Sequence, residues 1–440
     1  MKKFRKAIIA TALLCLMLLS QFLTACDIVL ELEQPPKQSL ETPKESTQSS
    51  ENSATEEPTE SEKDTTPIDY LQHLTFTKLE NGTYSVKLKE GSSLEYIEIP
   101  DTYEGMPVTK ISSRAFQNNS ILQKIILPNS IESIENYAFS SCEKLSEIVV
   151  SDNLISIGDF AFINCSSLQS FHFGNNIKTV GNNAFKNCAS LKTVEFRSDL
   201  QDIGNNTFEN CTSLSTVELK NVDSIGDHAF TGCSSLNTIK FGGNIRSINL
   251  YSFGQDLPIK EVIFSEDMTE IPYYICHGFK YLSKVDIPSK VTSIGSSAFS
   301  NCVNLSDVNL PDGLLKIKSY AFDGCQSLET VELPVSIEEI GESAFGGCSA
   351  LTEIKLGKNV TALGDRAFAF CISLKQIYLP KSLTNIGHDL IAGCENLEAI
   401  NYEGTVDEWN SMPKDNKWNA QTKSFLVKCS NGTVPYDLLY

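Results

Sequence analysis

"VTSIGSSAFSNCVNLSDVNLP", residues 291–311, sets apolar residues at Val291, Ile294, Ala298, Phe299, Cys302, Leu305, Val308 and Leu310. The arrangement returns in "IESIENYAFSSCEKLSEIVV" (131–150) and in "IEEIGESAFGGCSALTEIKL" (337–356). Phenylalanines fall at 116, 139, 162, 185, 208, 230, 253, 299, 322, 345 and 368, in steps of 22 or 23 residues. The one double step, from Phe253 to Phe299, has Cys276 at its midpoint. The unit reads I-x-x-I-G-x-x-A-F-x-x-C-x-x-L-x-x-I-x-L-P, with about 13 copies between Val108 and Tyr402 and a looser one at 88–100. Its L-x-x-I-x-L part alternates apolar and polar residues, the pattern of a short strand with one face buried.

A period of this length lies in the 20–29 residue range of leucine-rich repeats. One strand per coil, stacked on its neighbours, predicts a right-handed solenoid of 13–14 repeats with a parallel β-sheet on one wall. The I-x-x-I-G piece is expected to turn the corner. Gly158, Gly181, Gly204, Gly226, Gly295, Gly341, Gly364 and Gly387 are expected to adopt backbone angles closed to other residues. A-F-x-x-C forms the opposite wall, as a strand or a helical turn. The whole unit resembles the BspA-type (Treponema-type) leucine-rich repeat of bacterial surface proteins. "IPDTYEGMPVTKISSRAF" (99–116) is similar to that family's opening repeat and "INYEGTVDEWNSM" (400–412) to its closing segment. The resemblance implies attachment to host matrix proteins, host cells or other bacteria.

The ends differ in material. MKKFRK followed by the apolar run 7–23 is an export signal. "LTAC" (23–26) resembles the bacterial lipobox, which implies removal of 1–25 and a lipidated Cys26 at the new N-terminus. Two or three acyl chains, at about 0.8 kcal/mol per buried CH₂, hold a protein on a membrane. Residues 26–67 form an acidic Pro/Ser/Thr/Glu-rich tether with too little apolar content to offset its ordering entropy. Its flexible length reaches roughly 35 Å. The net charge of −19 divides into +4 on the signal, −8 on the tether and −15 on residues 68–440. An acidic body argues against nucleic acid and against electrostatic docking to anionic lipid. Residues 68–107 read as an N-terminal cap, with a hairpin around Asn81-Gly82 and the opening repeat. Residues 108–402 read as the solenoid and 403–440 as a C-terminal cap carrying Trp409 and Trp418.

Ten of the 14 cysteines (142, 165, 188, 211, 233, 302, 325, 348, 371 and 394) form one column, three residues after the Phe. No C-x-x-C pair and no histidine column accompany them, so a zinc ligand set is missing. At 276 and 279 the Phe and Cys positions are exchanged. An exchange that keeps total volume is tolerated in a core but would break a metal or disulfide role. The column is therefore expected to be packing.

No catalytic motif is present, and neither a cofactor, a metal nor an enzymatic activity is expected. The residue between the inward Ile and Leu of each strand gives an outward column. It runs Glu98, Ile126, Val149, His172, Glu195, Glu218, Lys240, Ile263, Asp286, Asn309, Glu332, Lys355, Tyr378 and Asn401. Ile126 and Val149, with His172 beside them, are the candidate partner contacts. They read first as ordinary β-branched strand formers, and as a contact patch second. The expected function is that of a lipid-anchored, extracytoplasmic, monomeric surface protein binding a protein or glycan on host or other cells. The alternatives are a structural or envelope-assembly role with a partner on the same cell, and a binding subunit of an enzyme. The coils at 245–287 depart from the repeat, either as drift or as a kink in the binding surface.

Overall fold

The computed structural model describes residues 69–436 except 197–199, 244 and 255. The export signal, Cys26 and the tether lie outside the described residues. Pro67–Tyr440 is one compact unit, a parallel β-solenoid built from repeated coils. Two strand ladders run along it. The first contains the L-x-x-I-x-L strands, for example Thr193–Phe196, Thr216–Leu219, Thr238–Phe241 and Glu261–Phe264. They pair in parallel and in register, with Val194, Val217, Ile239 and Val262 aligned and buried. Glu195, Glu218, Lys240 and Ile263 are aligned on the other face. Inward Ile/Val and outward polar residues follow from the two-residue side-chain period.

The second ladder corrects an expectation. The I-x-x-I segment is itself a strand, not merely a corner. Met106–Ile111, Ser133–Ile134, Ser156–Ile157, Thr179–Val180, Leu200–Ile203, Val222–Ile225 and Ser247–Ile248 pair in parallel, and a second run goes from Glu270–Ile271 to Ala362–Leu363. The first ladder is also less continuous than the repeat implies. The segments 169–173 and 329–333 occupy strand positions but take no ladder conformation.

The glycines likewise do a different job from the one expected. None of the eight has a positive φ. A Cβ on Gly181 would stand 2.6 Å from the Asp159 backbone nitrogen, and one on Gly364 only 2.2 Å from that of Glu342. Glycine is required because the preceding coil passes where a side chain would be. Gly364→Ala is accordingly expected to cost about 1–3 kcal/mol by overpacking, measured as a fall in urea stability at unchanged m-value. An unaltered midpoint would show that the coils separate freely here. The residue after the glycine position, which Glu135 fills in one coil, reinforces the corner. Asn136, Asp159, Asn182 and Asn205 each accept, through Oδ1, the backbone N–H one coil on, at 2.7–2.9 Å.

The A-F-x-x-C wall is neither strand nor helix but a ladder of tight turns. Alternate N–H groups donate to the next coil, as Phe116 to Ala138 and Phe139 to Ala161, both at 2.7 Å. The intervening ones close turns within the coil. The residues two before and two after the Phe are left-handed, among them Tyr137 and Ser141, Phe160 and Asn164, Asn183 and Asn187. Behind this wall the Phe rings form a near-parallel stack. Phe116, Phe139, Phe162 and Phe185 are spaced 5.0 Å apart, and the stack continues to Phe253. It resumes from Phe299 to Phe368.

Every column cysteine is a free, fully buried thiol. Each also donates its S–H to the carbonyl of the Phe-column residue in the coil before, from Cys142 on Phe116 at 3.0 Å to Cys325 on Phe299 at 3.3 Å. Cys302 donates to Cys276, which stands in the Phe column. The thiol thus fills the slot and satisfies a buried carbonyl, which alanine would leave undone.

The ends are covered. Leu74–Lys78 and Tyr84–Leu88 form an antiparallel hairpin whose inner strand continues the second ladder. At the other end a short helix, Val406–Ser411, is closed by a Thr405/Glu408 capping box. Trp409, on this helix, and Trp418 are buried against the final hairpin, the Trp409 indole donating to the Tyr436 hydroxyl at 3.0 Å. Neither is a surface platform.

Candidate functional site

The outward column of the first ladder is a row of aligned side chains along the solenoid. Glu98, Ile126 and Val149 are direct register partners on consecutive strands. Val149 is 41% exposed, and Ile126 is half-buried between its two neighbours. On the same outward side, Lys124 pairs with Glu147 at 2.7 Å. His172 belongs to the following coil, at one of the positions where the ladder lapses, and its Nε2 lies 2.9 Å from the Asp152 carboxylate. The fold therefore brings Ile126 and Val149 side by side but ties His172 to a neighbouring loop. Further along, Lys240 pairs with Glu218 at 3.3 Å, and Lys355 pairs with Glu353 while lying 5.3 Å from the Tyr378 ring centroid. Exposed pairs of this kind contribute about 0–1 kcal/mol each, so they shape the face more than they hold it. Ile263, 43% exposed, is a second apolar point.

A second region lies in the irregular coils at 245–287. In the regular coils, Gly158, Gly181, Gly204, Gly226 and Gly295 donate their N–H to the carbonyl of the Ile or Val one coil back. At that position the coil 259–281 has Pro272, which has no N–H to donate to Ile248. Asn249 stands there in the coil before, and its N–H turns to Ser252 Oγ at 3.0 Å. Ser252 Oγ in turn donates to Ile225 O at 3.1 Å, replacing the lost glycine bond. The second ladder consequently breaks between Ser247–Ile248 and Glu270–Ile271. A cleft of about 460 Å³ opens at the break, its lining including Arg246, Glu270, Tyr273 and Lys318. On the turn wall of the same coils lies another of about 400 Å³. The signals were the departures from the unit at Asn249, Asp256, Pro272 and Cys276, which mark the place without giving its shape. Among the described residues no group of His, Cys, Asp and Glu is arranged to hold a metal.

This geometry defines a leucine-rich-repeat solenoid. The chain belongs to the BspA-type leucine-rich repeat family, whose profile, a region of six repeat copies, matches it over residues 85–215, 156–282, 201–315 and 292–412. It is similar to the crystal structure of a leucine-rich repeat protein from Bacteroides ovatus, with 28% identity over 82% of this chain and 99% of that one and a TM-score of 0.54. It is also similar to a leucine rich cell surface protein from Faecalibacterium prausnitzii, at 28% identity over 78% and 97%, TM-score 0.43. The pneumococcal vaccine antigen PcpA matches at 19% identity over 81% and 96%, TM-score 0.42. No curated protein sequence matches the chain.

Proposed function

We propose that this chain is a surface-binding protein, anchored by lipid at Cys26 and adhering to a protein or glycan on host or other cells through the outward face of its first ladder. One observation carries the reading. The inward columns repeat from coil to coil, whereas the aligned outward column changes at nearly every strand, from Glu98 through Ile126 and Val149 to Tyr378 and Asn401. A constant scaffold displaying a non-repeating row of side chains is how a solenoid addresses an extended partner. The LTAC motif and the tether that follows supply the anchor and the reach.

Two measurements test it. An alkyne-tagged fatty acid fed to producing cells should label the wild-type chain and not Cys26→Ser. The mature chain should bind immobilised matrix proteins, mucin or fixed cells of other bacteria saturably, and Val149→Glu should weaken that binding by about tenfold. Absence of binding to every foreign surface would sink adhesion, and unlabelled wild type would sink the anchor.

A further inference from the structure

The coils around 249–281 break the local rules of this fold together, and on the turn wall they leave exposed apolar surface. The corner position that carries Asn or Asp from 136 to 227, and from 136 to 205 accepts a bond from the next coil, carries Leu250 and then Tyr273. Asp256 occupies the cysteine slot in sequence but turns outward in a left-handed conformation to pair with Lys280, and Leu257 is buried beside it. Consistency is what such an array selects for, so clustered departures that forgo backbone bonds mark a functional place.

These departures build a cleft of about 400 Å³ lined by Leu250, Tyr251, Asp256, His277, Lys280 and Asn301, with Gly254, Gly278 and Val303 completing it. Tyr251 is half exposed and its ring is held by stacking on His228, at 5.7 Å and 11°. Gly278 leaves the middle open, since a Cβ there would meet nothing within 4 Å. The same column carries Asn187, Asn210 and Asn301 in other coils. The Nδ1 atom of His277 is buried without a hydrogen-bond partner. Burial moves that imidazole below its ordinary pKa, which favours a neutral ring. Asp256 and Lys280 cancel each other's charge.

We propose that this cleft binds a neutral carbohydrate, a mono- or disaccharide unit of a larger glycan. An aromatic platform beside aliphatic groups matches the C–H face of a pyranose. Carboxylate, ammonium, imidazole and amide groups around it offer donors and acceptors together, as sugar hydroxyls require, without net charge. An anionic ligand would find no uncompensated cation, since Asp256 already neutralises Lys280, and a purely apolar one would leave these polar groups unmatched. The site is independent of the first-ladder face.

The test is saturation-transfer NMR on the full chain in a sugar-free zwitterionic detergent, with maltose, cellobiose, lactose and chitobiose as probes, beside a glycan array of neutral and acidic members. A neutral probe is expected to bind, and both Tyr251→Ala and Gly278→Asn to weaken it by about tenfold. Gly278→Asn places in the cleft a residue that the column already accommodates, so loss there reports occlusion and not misfolding. Val149→Glu should leave sugar binding unchanged. No binding of any neutral glycan, binding confined to acidic ones, or binding indifferent to both cleft variants would each overturn the proposal.

Discussion

Above pH 9 the protein is expected to lose stability steeply, with the thiolates of the buried column absorbing only as it unfolds. Burial raises the thiols of Cys233, Cys302 and Cys394 from 9.0 to about 12, against a smaller lowering from a backbone hydrogen bond. Cys165, Cys188, Cys211, Cys276, Cys325, Cys348 and Cys371 are pushed in the same direction, again chiefly by burial. Unfolded thiols ionise first, so between pH 9 and 12 the unfolded chain binds fewer protons than the folded one. The stabilising difference is whole below the unfolded pKa and disappears as pH climbs towards the folded one. Each such thiol removes about 1.4 kcal/mol per pH unit in that window, so three remove about 4. The exposed lysine pairs, such as Lys284 with Asp286 and Asp307, shift the same way but are screened by water. Urea unfolding followed at about pH 8 and about pH 10.5 measures the slope. Equal midpoints at the two values would mean that the thiols are already reachable by solvent in the native state.

That thiol column was legible in the sequence as packing, because Cys276 and Phe279 exchange places and a bonded role would not survive the exchange. The S–H donation to the preceding coil was not legible, since spacing alone does not say where a carbonyl points. Outside 169–173 and 329–333, the outward register could be read from Glu98 to Asn401 because alternation with period two fixes the face of every residue in a strand. The second ladder escaped because Ser133–Ile134 and Lys316–Ile317 are two residues long, too short to alternate. A glycine such as Gly204 looks the same in sequence whether it serves a positive φ or a close approach. The positive φ values fall instead on Tyr137, Phe160 and Arg366, residues that disfavour them in isolation. Here the inter-coil hydrogen bonds override local preference. As for the sites, Ile126 and Val149 followed from the strand pattern, but His172 did not join them because its coil leaves the ladder. The turn-wall cleft depends on an exposed Leu250 and Tyr251, an outward Asp256 and an open Gly278 acting together, which no single position announces.

The natural exchange at 276 and 279 also sets the sharpest test of what holds the core. Phe322 is fully buried between Phe299 and Phe345, at 5.3 and 5.4 Å, and Phe322→Ala should cost about 3–5 kcal/mol. The lost ring leaves a cavity that the two flanking coils, fixed by their ladders, are poorly able to close. The chain itself shows how such a loss is offset. Where Cys276 interrupts the stack, Phe279 enters from the cysteine column and meets Phe253 edge-on at 5.4 Å and 85°. Both residues remain buried, at 0% and 3% exposure. Building the same exchange two coils further along, Phe322→Cys with Cys325→Phe, conserves the volume and should hold the loss to within about 1.5 kcal/mol. The thiol bond to Phe299 O disappears in that variant, which argues for a small residual cost and not for neutrality. Calorimetry or urea unfolding of Phe322→Ala and the double variant, side by side, decides the matter. If the double variant is as unstable as Phe322→Ala, ring-on-ring stacking and thiol donation hold the core, and filled volume does not.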